Sequence, residues 1–198
     1  MIKKEIYIKL KRKFGKNSSW TIWDGPENGN WKSKSNIGSL QCFENEDNLL
    51  KKLNPNYIFV GFNPAAHDNK EVEKKIWSNF HSSDIKRSQD YKLRYALNGT
   101  KYWGSFITDV YPEIVETDST KVSSKASNNM INESIDNLIY VRELLGNEAT
   151  IVAIGDAAYK VIKNNLPKDV KLIKIMHYSY QSINQEDYRN LVLKQLNC

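Results

Sequence analysis

Cysteine is nearly absent from this chain: its 198 residues include two, Cys42 and Cys198. No Cys-x-x-Cys pair or Cys/His cluster occurs, which excludes a zinc-finger or iron–sulphur protein for want of ligands. Long apolar runs are missing as well, and nothing approaches the roughly 20 residues needed to cross a bilayer. The basic start, MIKKEIYIKLKRKF, has its apolar residues interrupted by charge and does not read as a secretory signal. A soluble, cytoplasmic protein with no membrane partner is therefore expected, and in a reducing cytoplasm both cysteines read as free thiols. Internal repeats and low-complexity tracts are also absent, so repeat architectures drop out.

What is present suits a globular chain. Hydrophobic residues make up 40% and charged residues 26%, ordinary values, and the length fits one domain with a real core. The charge is placed unevenly. Residues 1–16 hold seven Lys/Arg against Glu5 and account for the whole net charge of +6, leaving the rest formally neutral. A basic arm beside a neutral body can hold a phosphate backbone through counterion release, so Lys9, Lys11, Arg12 and Lys13 are candidate DNA-backbone contacts. A solvated lysine-rich terminus is the plainer reading of the same residues.

Residues 17–40 are rich in Gly, Asn and Ser and read as a turn-rich segment pinned by Trp20, Trp23 and Trp31. With the rest of 1–50 they are expected to pack as a flank on the main body. Four apolar, β-branched runs follow: YIFVGF (57–62), SFITDV (105–110), TIVAIG (150–155) and KLIKIMH (171–177). Their near-continuous hydrophobicity predicts strands buried on both faces. Between them, Ile131, Ile135, Leu138 and Leu145 predict a helix over 128–145 that Gly146 stops. Asp156 is read as the N-cap of a second helix, and a third begins near Asn184. Strands alternating with helices predict an α/β fold with a four-stranded, mainly parallel sheet between two helical layers.

In such sheets ligands bind beyond the carboxyl ends of the strands. The residues delivered there are Gly61-Phe62-Asn63-Pro64-Ala65-Ala66, Thr108-Asp109, Gly155-Asp156 and His177-Tyr178-Ser179. On its own Asn63-Pro64 reads as a turn closing a strand, and His177 as a core histidine. In order, however, these segments resemble the motifs of the uracil-DNA glycosylase superfamily. Val60-Gly61-Phe62-Asn63-Pro64 is similar to its Gly-x-(Asn/Asp)-Pro turn, and Ile175-Met176-His177-Tyr178-Ser179 to its His-Pro-Ser motif. Residues 104–109 are similar to its second strand, which commonly ends Thr-Asn, and 151–158 to its third strand with a Gly-x-x-Ala turn.

The resemblance implies that family's three-layer fold, with the four runs adjacent in the order 2-1-3-4. It implies a DNA glycosylase that needs no cofactor and has single- or double-stranded DNA as partner. Asn63 would position the attacking water, and His177 would donate to the departing base. The turns at Gly61, Phe62, Pro64 and Ala65 and at Ser179 would hold substrate and flanking phosphates. Phe80, with Trp77 as runner-up, would be the aromatic floor for an extruded base. The chain departs from the family in three places. Tyr178 stands where Pro is usual, and Asn63, as in the mismatch-directed branches, suggests slower chemistry than Asp would give. Asp109 stands where many members have a base-reading Asn; a carboxylate only accepts hydrogen bonds and suits amine-bearing bases better than the O4 of uracil. His67 and His81 read as surface residues. Two other readings stay open: an inactive nucleic-acid-binding module of the same fold, and a hydrolase of free nucleosides or nucleotides.

Overall fold

The computed structural model describes residues 2–64, 75–82, 84 and 88–197. It has seven α-helices and five strands among them: α1 (Lys4–Phe14), β1 (Ser19–Trp20), α2 (Glu46–Leu50), β2 (Asn54–Gly61), α3 (Asp90–Leu97), β3 (Ser105–Asp109), α4 (Ser119–Lys125), α5 (Asn128–Leu144), β4 (Thr150–Ile154), α6 (Asp156–Asn165), β5 (Leu172–Ile175) and α7 (Gln185–Gln195). The strands form one mixed sheet in the order β1-β3-β2-β4-β5. The four predicted runs are its parallel strands and are neighbours in the expected order. The sheet has five strands, not four, because β1 pairs antiparallel with β3 through Ser19↔Ile107 and Trp20↔Phe106. The N-terminal region is thus more than a flank. Two residues carry no periodicity, which is why composition alone could not reveal this strand.

Alternation along the central strands sorts side chains to two cores. Ile58, Val60, Phe106, Ile151 and Ala153 face one core, with Tyr7 and Leu10 of α1, Leu138 and Val141 of α5 and Ile162 of α6. Phe59, Ile107, Val152, Ile154 and Ile175 face the other, with Leu93 and Leu97 of α3 and Tyr188 and Val192 of α7. Helices therefore cover both faces, which explains why β2, β3 and β4 read as apolar runs; β5, at the sheet edge, is not buried on both faces as expected, with Leu172 and Ile173 half-buried and Lys174 exposed. Each Val, Leu, Ile or Phe in the two cores, fully buried, contributes about 1.5–3 kcal/mol.

Local signals set most helix ends. Ser127 and Asn184 cap α5 and α7, each accepting from a backbone N–H in the first turn. The reading of Asp156 as an N-cap is corrected: Gly155, at φ +87°, is the cap and Asp156 opens the helix, where its carboxylate pairs with Lys174 at 2.7 Å. The basic arm is α1, a helix with Tyr7 and Leu10 fully buried and Lys9, Arg12 and Lys13 exposed. Trp20 and Trp23 are buried as anticipated, and Trp31 is half-buried edge-on to Trp103. No helix among the described residues is long and apolar enough to cross a membrane.

Candidate functional site

Four parallel strands end on one rim because they share direction and register. Gly61 lies opposite Asp109, Val60 opposite Ala153, and Ile154 opposite Ile175. Hydrogen bonding continues past the strands, with Val110 N–H donating to Gly61 O and Tyr111 N–H to Phe62 O, both at 2.9 Å. A cavity of about 560 Å³ opens on this rim. Of the sequence-predicted site residues, Gly61, Phe62, Asn63, Pro64, Phe80, Asp109, His177, Tyr178 and Ser179 all line it. Ala65 lies outside the described residues, as do Ala66, His67, Asp68 and Cys198.

Asn63 is held by its amide nitrogen, which donates to the backbone carbonyls of Pro64 (2.9 Å), Ile114 (3.2 Å) and Glu116 (2.6 Å). Carbonyls only accept, so this end of the amide must be the NH₂, and the other branch is the acceptor Oδ1. His177 is fixed in the complementary sense. Its Nδ1 accepts from Ser179 N–H at 3.1 Å and lies 2.8 Å from Ser179 Oγ. A backbone N–H can only donate, so the proton of the neutral ring sits on Nε2. Burial lowers the His177 pKa to about 4, because desolvation disfavours the imidazolium. At neutral pH the ring is an uncharged Nε2–H donor. The Tyr178 ring stacks on it at 4.6 Å and 26°. A Cβ on Gly155 would sit 3.2 Å from His177 Cβ and 3.3 Å from Cδ2, so glycine there makes room for the imidazole as well as allowing the positive φ.

The floor is built by residues 77–81, which are bolted to residues 15–23. Trp77 N–H donates to Gly15 O (2.7 Å), Ser19 Oγ to Trp77 O (2.7 Å), Asn79 Nδ2 to Asn17 O (2.8 Å) and Trp23 Nε1 to Phe80 O (3.0 Å). Phe80 adopts φ +64° and Trp77 φ +65°, left-handed conformations that cost bulky residues about 1–3 kcal/mol and persist when surroundings enforce them. The two aromatics part company. Phe80 lines the cavity, whereas Trp77 is buried on the opposite side of the sheet against Tyr7, Trp20 and Phe106. Trp77 is thus excluded as the floor. His81 is not a surface residue either. It is 4% exposed, with Nε2 2.8 Å from Ile22 O, Nδ1 3.0 Å from Asn79 O, and its ring stacked on Trp23.

Several lining groups had no sequence signal. Asn79 Nδ2 donates to Asp109 Oδ2 at 2.9 Å and orients that buried carboxylate. Asp90, the first residue of α3, is buried, accepts from Ser82 N–H at 3.1 Å and bonds the Tyr178 phenol. Burial raises the Asp90 pKa, and burial together with the charges of Asp90 and Asp109 holds Tyr178 well above the usual phenol range. Tyr178 is therefore a protonated donor. Lys92, buried behind the rim, donates to Tyr180 O and Ile183 O at 2.9 Å each and anchors the loop that carries His177. Only the tyrosine's proximity to His177 and the adjacency of Asn79 to Phe80 were visible beforehand.

The basic residues do not join this cavity. Lys11 pairs with Glu46, and Lys13 lies 4.3 Å from the Tyr140 ring centroid. Lys13 instead lines a second cavity of about 430 Å³ between α1, α5 and the end of β3, which shares Asp109 with the first. Comparison with protein-family models gives no match, and comparison with curated proteins gives none.

Proposed function

We propose that the chain is a DNA glycosylase-like hydrolase of the uracil-DNA glycosylase type, cleaving the N-glycosidic bond of a uracil-type or otherwise altered base without a cofactor. The observation that carries the proposal is the pairing, in one cavity, of a fixed acceptor at Asn63 with a neutral Nε2–H donor at His177. Breaking a base–sugar bond leaves the bonding electron pair on the base and cationic character on the sugar. Asn63 Oδ1 accepts a hydrogen bond from water and directs its oxygen to the sugar carbon. The Nε2–H of His177 strengthens its bond to the base as negative charge develops there. The water's proton leaves to solvent or to the departed base. Phe80 offers a face for the ring.

Oligonucleotides carrying uracil, hypoxanthine, xanthine or mismatches are incubated with the protein and then cleaved by alkali at abasic sites. Wild type is expected to release at least one base well above the Asn63→Ala rate. No release above that control from the whole panel overturns the proposal. One observation favours a second reading, a hydrolase of free nucleosides. Among the described lining residues there are four carboxylates (Asp90, Asp109, Glu116 and Asp156) and no Lys or Arg to hold a phosphate. Nucleoside cleavage without affinity for DNA would select it.

A further inference from the structure

The second cavity, between α1, α5 and the end of β3, plays no part in the chemistry proposed for the rim. Its volume is about 430 Å³, and among the described residues Asp109 alone lines both cavities. That volume lies within the range of small-molecule sites. The walls belong to the other core. Phe14 and Phe106 meet edge-on at 6.1 Å, and Leu138 and Val141 of α5 complete an apolar side.

Three neutral polar groups interrupt that apolar surface. Tyr111 is 3% exposed and Ser134 8%, and both line the cavity, as does the half-buried Asn137. None of these three side chains has a hydrogen-bond partner among the described residues. The Ser18 and Thr108 hydroxyls, which line the same cavity, bond each other at 2.8 Å. Buried polar groups are bonded in the great majority of cases, so exceptions gathered around one cavity call for an occupant with complementary atoms. Burial raises the Tyr111 pKa, so the phenol keeps its proton and, like the serine hydroxyl, both donates and accepts. Ser134 and Asn137, three residues apart on α5, sit on one side of the helix.

The chemistry of the occupant follows from these walls. Lys13, Glu113 and Glu133 also line the cavity but are exposed, and the buried carboxylate of Asp109 is tied at the rim by Asn79. A charged group beside Tyr111 and Ser134 would lose its hydration to two hydroxyls and an amide, which disfavours it. A hydrocarbon would leave those hydroxyls unpaired, and a sugar would set its own hydroxyls against Phe106 and Leu138. A heteroaromatic ring has apolar faces and a polar edge, and so matches both kinds of wall.

We infer that this cavity is a second ligand site, taking an uncharged heteroaromatic ring of nucleobase type through Tyr111, Ser134 and Asn137. The inference does not require the rim to be a base site, and separate signals report the two. Adenosine, inosine, cytidine and uridine are titrated into the intact chain, with toluene and glucose for comparison. NMR shifts of the Tyr111 ring report this cavity, and those of the His177 ring report the rim. At least one nucleoside is expected to shift Tyr111 saturably and to bind more tightly than toluene or glucose. Tyr111→Phe and Ser134→Ala, each losing one hydrogen bond, are expected to weaken that binding about two- to tenfold. Ser134→Leu, which fills the space, is expected to abolish it. Without ligand, Tyr111→Phe and Ser134→Ala are expected to melt no lower than wild type, because each deletes a hydroxyl that has no partner to lose. The inference is overturned if no nucleoside shifts Tyr111, the cavity then holding water only. It is overturned equally if toluene or glucose binds as tightly, or if removing either hydroxyl lowers the melting temperature. Nucleosides that shift His177 alone remove this site and leave the proposal for the rim standing. A saturable Tyr111 shift without one at His177 upholds this site whatever becomes of the rim.

Discussion

At the rim, Asn63 gives its amide hydrogens to three backbone carbonyls, His177 accepts from Ser179, and Asp109 is turned by Asn79. On α1, Lys9, Arg12 and Lys13 project on long stems from a helix whose other side, Tyr7 and Leu10, is fully buried. The rim groups thus have direction as well as charge or polarity, because short side chains tied to backbone cannot swing. Lys9 and Arg12 have sign without direction, whereas Lys13 is seated over the Tyr140 ring. A fixed direction suits transition-state chemistry, which requires donors and acceptors already in place. An exposed positive surface suits attraction to a polyanion irrespective of sequence.

The sharpest way to break this contrast is through Trp77, where the two regions are joined. Trp77→Ala removes the centre of the Tyr7–Trp20–Phe106 cluster and the Nε1 bond to Tyr7 Oη. A loss of about 3–5 kcal/mol in urea unfolding is expected. Because the same strap carries Asn79 and Phe80, ligand binding at the rim should weaken under conditions where the variant is still folded. Stability loss with rim binding intact would show the two regions to be independent.

Next in size are Asn63→Ala and His177→Ala. Each is expected to slow single-turnover base release about 10²–10³-fold, with DNA affinity close to wild type; Asn63→Ala also lowers the melting temperature, because the carbonyls of Pro64, Ile114 and Glu116 lose their donor. A comparable fall in affinity would mean that these groups bind the ground state instead.

A pH titration sharpens the rim side. The folded pKa of His177 lies at about 4, below the ordinary 6.5, so between those values the unfolded chain binds more protons than the folded one. Stability linked to this group is complete above 6.5 and drains away as pH falls toward 4. NMR of the ring should show the Nε2–H tautomer across neutrality, with protonation only near pH 4, and base release should be flat around neutral pH and fall in acid. A His177 titration near 6.5 would remove the basis for a neutral donor.

The smallest effects belong to α1. Lys9→Gln, Arg12→Gln and Lys13→Gln together should leave stability unchanged and flatten the dependence of DNA affinity on log salt, by up to about 0.9 for each residue that meets a phosphate. Lys11→Gln should differ from these, costing up to about 1 kcal/mol of stability through its pair with Glu46. An unaltered salt slope would reduce the helix to a structural element.

The α/β alternation, the four parallel runs, the stop of α5 at Gly146, the start of a last helix near Asn184, and the rim positions of Asn63, Asp109 and His177 could be read from the chain alone. These follow from local periodicity, from turn chemistry and from the rule that parallel strands end together. Long-range packing was needed to show that Ser19–Trp20 adds an antiparallel edge, that Trp77 and Phe80, three positions apart, lie on opposite sides of the sheet, and that His81 is buried. It also decided which partners the rim groups have: Asn79 for Asp109, Asp90 for Tyr178, and the carbonyls of Ile114 and Glu116 for Asn63. Those bonds join segments distant in the chain, and a polar side chain carries in its own neighbourhood no mark of the group it will meet. Burial, which makes an unpaired polar atom costly, forces each to find a partner only once the two cores have closed on the sheet.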